Sequence, residues 1–177
     1  MELNKPHHPQ QLKEWRENMY KEHSEALIGK KIKRIFMNED YLKFETDKGN
    51  IVFNVDGDCC SQSVFYDFLG VKKLLNNGAV VSFEDIELHP SDIIEEDGDQ
   101  KDKKSYQESI KVYGYRIVTV DSILGEVSSV FSFRNYSNGY YGGSLELCPD
   151  DKDVSPEIFD DVLETANTND LPHHPQQ

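Results

Sequence analysis

Apolar positions along this chain change their spacing several times, and each change marks an element. From about Pro9 to Ala26, Leu12, Trp15, Met19 and His23 recur at helical spacing beside a charged face, which predicts an N-terminal helix with Pro9 in its first turn. Gly29 punctuates the chain. Lys30 to Met37, rich in β-branched and basic residues, reads as a strand leading to a turn at Asn38, Glu39 and Asp40. Alternation then takes over: Leu42, Phe44 and Thr46 share one face of a strand, Asp47 to Asn50 supplies a Gly-containing turn, and Ile51, Phe53 and Val55 share one face of the next.

Asp56-Gly57-Asp58 ends that strand. The following apolar residues Val64, Phe65, Phe68 and Leu69 lie at helical offsets and predict a helix over Cys59 to Leu69. A second short helix, Val71 to Leu75, stops at Asn76-Asn77-Gly78. Ala79 to Leu88 is β-like, with Ala79, Val81 and Phe83 on one face, and Pro90 limits its continuation. Ser91 to Glu108 has Ile93 and Ile94 as its only aliphatic residues, so it is expected to form a mobile acidic loop.

Ile110 to Val120 returns to strand character. Glu126 to Tyr136 and Ser144 to Leu147 flank Asn138-Gly139, a strong hairpin signal. A plain register from that turn would set Phe131 and Phe133 opposite in face to Leu145 and Leu147, so a bulge is expected at Gly142-Gly143. Beyond Cys148 the chain is strongly anionic, and a short helix over 156–166, capped by Ser155 with Pro156 in its first turn, is the one element expected in an otherwise polar tail.

These elements sum to an α+β class: a mostly antiparallel, twisted sheet of about six to seven strands, with an N-terminal helix and a helix after the first three strands. The expected organisation is a polar tail over 1–8, one domain over 9–149 with the acidic loop at 91–108, and an acidic tail over 150–177. The 177 residues and 37% apolar content suit a single core.

Charge narrows the partners. Lys plus Arg total 19 against 33 Asp plus Glu, a formal charge of −14, so the average field repels phosphate and argues against direct nucleic-acid binding. No window has the apolar length to cross a bilayer and the N-terminus lacks a secretion signal, so a cytoplasmic protein is expected. The three cysteines Cys59, Cys60 and Cys148 leave an odd thiol under any pairing, and reduced thiols are expected.

Two surface regions carry distinctive chemistry. Asp58-Cys59-Cys60-Ser61 stands where a strand is expected to hand over to a helix, where Asp58 or Ser61 caps open amides. Such a terminus lowers thiol pKa values and holds anions, although a capped turn with small buried thiols is the more common outcome. Tyr136, Tyr140 and Tyr141 cluster about Asn138-Gly139, with Arg134 and Asn135 nearby. Tyrosine tips supply stiff contact area plus hydrogen bonding, Arg134 a guanidinium for carboxylate or phosphate; a twisted hairpin packing tyrosines on its own strands is the plainer alternative.

No catalytic residue, metal site or cofactor is assigned. His89 is the one non-terminal histidine outside the first helix, and nothing in the sequence aligns it with a thiol. Pro6-His7-His8-Pro9-Gln10-Gln11 reappears as Pro172-His173-His174-Pro175-Gln176-Gln177; four imidazoles could gather on a divalent ion if the ends met, but a polar tail is the ordinary reading. Lys30, Lys31, Lys33 and Arg34 form the main basic cluster and suit an exposed strand edge.

Ile28-Gly29-Lys30-Lys31-Ile32, the hairpin, Gly57-Asp58-Cys59-Cys60-Ser61 and Asn138-Gly139-Tyr140-Tyr141-Gly142-Gly143 together resemble a family of uncharacterised small proteins of tailed phages and some bacteria. The resemblance spans about Leu27 to Leu147, with Gly-Asp-Cys-Cys-Ser its most specific part. It implies a compact α+β domain and carries over no activity, cofactor or catalytic residue; a phage setting implies a host-directed accessory role.

The first functional expectation is therefore a non-enzymatic binding protein, phage-encoded, that occupies a host protein or sequesters a small anionic, nucleotide-like signalling molecule. Its ligand-binding residues would be Asp58, Cys59, Cys60, Ser61, Arg134, Asn135, Tyr136, Asn138, Tyr140 and Tyr141. The alternatives are a cysteine-dependent enzyme using Cys59 or Cys60, and an acidic nucleic-acid mimic that blocks a basic host protein. Self-association through exposed strand edges stays open.

Overall fold

The expected first hairpin forms: Tyr41–Thr46 (β2) and Gly49–Gly57 (β3) pair antiparallel around Asp47 and Lys48, with Leu42 opposite Phe53 and Phe44 opposite Ile51. The structure is a computed structural model that describes residues 23, 25–88, 109–139 and 141–163. Within them the other elements are β1 (Ile32–Met37), β4 (Gln62–Leu69), a one-turn helix α1 (Val71–Leu74), β5 (Val80–Ile86), β6 (Ser109–Asp121), β7 (Gly125–Ser137), β8 (Gly143–Cys148) and β9 (Glu157–Ile158).

Every strand pair is antiparallel, in two sheets. The first runs β8-β3-β2-β1-β9 and the second β4-β7-β6-β5. One core lies between them, contributed by Ile35, Leu42, Phe44 and Phe53 of the first sheet and Phe65, Phe68, Phe83, Ile117, Phe131 and Phe133 of the second. Its rings meet edge-on or tilted, as Phe44 does with Phe53 and Phe68, or stacked, as Tyr115 does with Phe131; each such buried side chain contributes about 1.5–3 kcal/mol.

The α+β expectation is thus overturned: the described residues form an antiparallel β-sandwich whose one fully described helix is the four-residue α1, besides helical His23 and Glu25. The expected N-terminal helix lies, apart from residues 23, 25 and 26, outside the described residues, as does the acidic loop over 91–108. The helix expected over Cys59 to Leu69 is strand β4. Phe65 pairs with Phe133 and Asp67 with Ser132, so Tyr66 is an extra residue, and this bulge turns both Phe65 and Phe68 to the core.

Bulges of the same kind occur at Lys33, between Ile32 and Ile35, and at Val81, between Val80 and Phe83. In a regular strand residues three apart face opposite ways. The bulge at Val81 also corrects the expected face of β5: Val80 and Phe83 are buried, and Val81 is exposed.

The hairpin expected around Asn138-Gly139 is a crossover. β7 pairs with β4 and β6 in the second sheet, and β8 pairs with β3 at the edge of the first. Pairing is regular from Gly57 opposite Gly143 to Val52 opposite Cys148, so there is no bulge at Gly142-Gly143. Phe131, Phe133 and Leu145 still share one interior, because they stand on facing sheets.

Residues 157 and 158, expected in a helix over 156–166, form β9 on the edge of β1, while 164–166 lie outside the described residues. Val154, Ile158 and Val162 are all buried. Several acids here are engaged: Glu157 grips the Arg34 guanidinium at 2.8 and 2.9 Å, Asp151 meets Lys43 at 2.9 Å, and Asp160 meets Lys72 at 3.0 Å. Asp161 accepts the N–H groups of Gly70 and Val71.

Candidate functional site

Where β3 ends, the chain turns through Asp58, Cys59, Cys60 and Ser61 and enters the other sheet as β4. This corner is a β-turn. The Ser61 N–H donates to the Asp58 carbonyl at 2.9 Å and the Ser61 hydroxyl to the same oxygen at 2.6 Å. Cys60 sits at φ 63°, the left-handed region usually left to glycine or asparagine, at a cost of roughly 1–2 kcal/mol.

The crossover from β7 to β8 is fastened to this turn. The Asp58 N–H donates to the Gly142 carbonyl at 3.0 Å, and the Gly142 N–H returns a bond to Asp58 Oδ2 at 3.2 Å. Glycine is required at Gly143, where a Cβ would stand 2.3 Å from Ser63 Oγ and 3.1 Å from the Asp56 carbonyl; on Gly142 a Cβ would meet the end of the Tyr113 side chain at 2.7 Å.

Asn135 forms the floor. It is fully buried on the core side of β7, and its Nδ2 donates to Ser61 Oγ at 3.1 Å and Ser63 Oγ at 3.0 Å. Both hydroxyls spend their own protons on backbone carbonyls, those of Asp58 and Asp56, so each can only accept from the amide. That fixes the amide orientation, and it leaves Oδ1 buried without a hydrogen-bond donor among the described residues. The crossover is further held by Lys111 Nζ and the Ser137 hydroxyl, which donate to the Tyr141 carbonyl at 2.9 and 3.2 Å, and by the Gly143 N–H, which donates to the Tyr113 oxygen at 3.2 Å.

Of the residues expected in the site, Asp58, Cys59, Cys60 and Asn138 are exposed, Ser61, Tyr136 and Tyr141 are half-buried, and all share this end of the sandwich with buried Asn135. Tyr140 lies outside the described residues. Arg134 is turned away: it is buried on the other face of β7 from Asn135, its guanidinium carbon 3.5 Å from the centre of the Tyr66 ring. It belongs to a second polar cluster with Asp67, whose carboxylate accepts the Ser132 hydroxyl; burial pushes the Asp67 carboxyl up, against the pull of Ser132 and the Arg134 charge.

The anion pocket expected at a helix start is corrected as well. Ser61 leads into a strand, so no helix terminus collects N–H groups there, and the nearby charges on this turn are Asp56 and Asp58. The two thiols lie Sγ to Sγ at 3.3 Å, and the Cys59 thiol is pushed up by its hydrogen bond to Cys60, by the charge of that neighbour and, least, by burial. Ser63, Lys111, Tyr113 and Ser137 complete the corner and were not foreseen; they arrive from register between distant strands, and the Gly142-Gly143 pair was the one local signal of close approach.

No group of three His, Cys, Asp or Glu side chains among the described residues is placed to hold a metal ion. The repeated Pro-His-His-Pro-Gln-Gln segments and His89 lie outside them. No described helix is long and apolar enough to cross a membrane.

Comparison with known proteins places this geometry in a sequence family. Residues 25–147 match the family model described as domain of unknown function (DUF7448), so the match takes in the corner, the crossover and β8 as far as Leu147. Uncharacterized protein L278 of Acanthamoeba polyphaga mimivirus is 35% identical over 126 residues, covering 66% of this chain and 85% of that protein. No solved structure matches.

Proposed function

This chain belongs to the DUF7448 family, a domain of unknown function, and we propose that the protein is a non-enzymatic binding protein that engages a partner protein through the corner and crossover. The observation that supports this is the reciprocal bonding of Asp58 and Gly142, which joins two loops from different sheets into one surface. Exposed Cys59, Cys60 and Asn138 and half-buried Tyr141 stand on it, held by a rigid scaffold, while Tyr136, at the same end, lies on the Arg134 face of β7. The relative in a mimivirus supports a viral setting; an accessory role on a host protein and a phage origin are the finer parts of this proposal.

A nucleotide-like ligand is less favoured, because its phosphates would meet Asp56 and Asp58, Arg134 is buried on the other face, and Lys111 Nζ is already bonded to the Tyr141 carbonyl. The thiol-enzyme reading is weakened by the upward shift at Cys59, which reduces its thiolate. For a nucleic-acid mimic, four tail acids, Asp151, Glu157, Asp160 and Asp161, are already bound to basic side chains or backbone amides, and the acidic loop lies outside the described residues. The test is affinity capture with crosslinking from cells producing the protein, comparing wild type with an Asn138→Ala/Tyr141→Ala variant. Crosslinks are expected at 58–61 and 138–142, with partner affinity at least about tenfold weaker in the variant; a partner held equally by both forms overturns the proposal.

A further inference from the structure

In an extended strand the side chains of adjacent residues point to opposite faces. Cys59 and Cys60 do not: the turn from Asp58 to Ser61, with Cys60 at φ 63°, brings both sulfurs to one side at 3.3 Å, and both residues are exposed. The Ser61 N–H and hydroxyl both bind the Asp58 carbonyl, and Asp58 and Gly142 bind each other twice, so the turn is fixed before anything reaches it. A chelating pair whose spacing is already set pays little ordering entropy on binding.

We propose that Cys59 and Cys60 form a bidentate dithiol site for a three-coordinate, thiophilic metalloid of the trivalent arsenic class. Two soft sulfurs select a soft centre. A spacing of 3.3 Å suits the narrow angle of a pyramidal centre and not a linear two-coordinate ion, which holds its sulfurs on opposite sides. A structural zinc ion takes four ligands, and among the described residues no third His, Cys, Asp or Glu joins these two in a metal-holding group. The metalloid needs none, because its third position keeps a hydroxyl or an organic group.

Charge and protonation agree with this choice. Asp56 and Asp58 repel anions, whereas arsenous acid is uncharged at neutral pH. The net exchange consumes two protonated thiols, the form that the upward shift at Cys59 favours. Arsenous acid, As(OH)3, and two thiols give the cyclic dithioarsenite, which retains one hydroxyl, and two waters: two As–S bonds form, two As–O bonds break, each thiol proton leaves with a hydroxyl, and no electron is transferred. Closure to a disulfide instead would draw the sulfurs to about 2.05 Å across neighbouring Cα atoms about 3.8 Å apart, shorter than the ordinary span. The inference needs only the two thiols and is independent of the partner-binding proposal.

Phenylarsine oxide and the intact protein provide the test, read by native mass spectrometry in excess glutathione. Wild type and Cys148→Ser should each gain one phenylarsenic unit, with loss of one water, and a small 1,2-dithiol should strip it. Cys59→Ser and Cys60→Ser should each lose the glutathione-resistant adduct. Cys60→Gly, which suits the positive φ and so protects the fold, should lose it equally. No adduct on wild type, or a glutathione-resistant adduct on any of the three variants lacking Cys59 or Cys60, overturns the inference.

Discussion

Phe68 and Val162 exchange two backbone hydrogen bonds, Phe68 N–H to Val162 O at 2.8 Å and Val162 N–H to Phe68 O at 2.9 Å. Together with β9 on the edge of β1, this bridge makes the segment after β8 a strap from the edge of one sheet to the edge of the other. Two vulnerable strand edges are covered in the process.

Ending the chain at Pro149 should therefore destabilise it severely. Val154, Ile158 and Val162 are almost fully buried, and removing three aliphatic side chains of that kind forfeits on the order of 1.5–3 kcal/mol each. The loss of β9 and of the Asp161 bonds to Gly70 and Val71 adds to this. Urea unfolding of the full and shortened chains measures the difference; equal midpoints would contradict the strap.

The two glycines of the crossover should behave differently when each is replaced by alanine. At Gly143 the new methyl would meet Ser63 Oγ at 2.3 Å, the Phe133 ring at 3.0 Å and the Asp56 carbonyl at 3.1 Å, two of them packed in the core or backbone. At Gly142 its one close neighbour is the Tyr113 hydroxyl at 2.7 Å, the end of a side chain. Gly143→Ala is expected to cost about 1–3 kcal/mol by overpacking, and Gly142→Ala clearly less. Thermal unfolding of the two variants side by side decides it.

The parts of this fold legible in the sequence are those set by short-range pattern. Leu42, Phe44, Phe53 and the turn at Asp47 to Asn50 announced β2 and β3, because regular alternation has one reading. Val64, Phe65, Phe68 and Leu69 misled for a physical reason: the Tyr66 bulge places core residues three apart, a helical spacing, inside a strand. The same spacing recurs at Ile32 and Ile35 and at Val80 and Phe83, where other cues still identified strands.

Partner choice between distant strands is not written locally. Asn138-Gly139 carries a hairpin signal, yet β7 and β8 join different sheets, since Phe131, Phe133 and Leu145 are buried equally well from opposite sides of a core. The sequence offered the candidate site as two segments, 58–61 and 134–141, and the fold brings the described residues of both to one end of the sandwich. Its floor of Asn135, Ser61 and Ser63 follows from the register that sets Ser63 opposite Asn135, and Arg134 was lost to the surface by the alternation that turned Asn135 inward.

Asn135→Ala should loosen that floor. The change removes the donor to both Ser61 and Ser63, whose hydroxyls keep their carbonyl acceptors, and also removes the Oδ1 that lacks a donor. Loss of two buried hydrogen bonds is partly offset by loss of an unsatisfied acceptor, so a net cost of about 1–2 kcal/mol is expected. Hydrogen exchange locates it: the amides of Asp58, Ser61 and Gly142 should exchange faster, while those in the β6 and β7 centre around Ile117 and Ser129 hold. Faster exchange throughout both sheets would mean that Asn135 supports the core generally and not the corner.

Asp67 yields a prediction with a definite sign in pH. Burial holds its carboxyl above the ordinary aspartate value, despite the Ser132 hydroxyl and the Arg134 charge. The folded chain therefore keeps this proton to higher pH than the unfolded chain, whose value is near 3.9. The contribution to stability is complete below that value and declines as pH rises through the folded-state value. Asp67→Asn cannot titrate and sets an amide, with two N–H donors in place of one O–H, beside the Arg134 guanidinium, so it should be the less stable form at pH 4. Its deficit relative to wild type should shrink between about pH 4 and about pH 7, because wild type alone incurs the cost of ionising the buried carboxyl over that range. Urea midpoints for both forms across those pH values measure the trend, and a deficit that grows with pH would show that the Arg134 charge outweighs burial at this position.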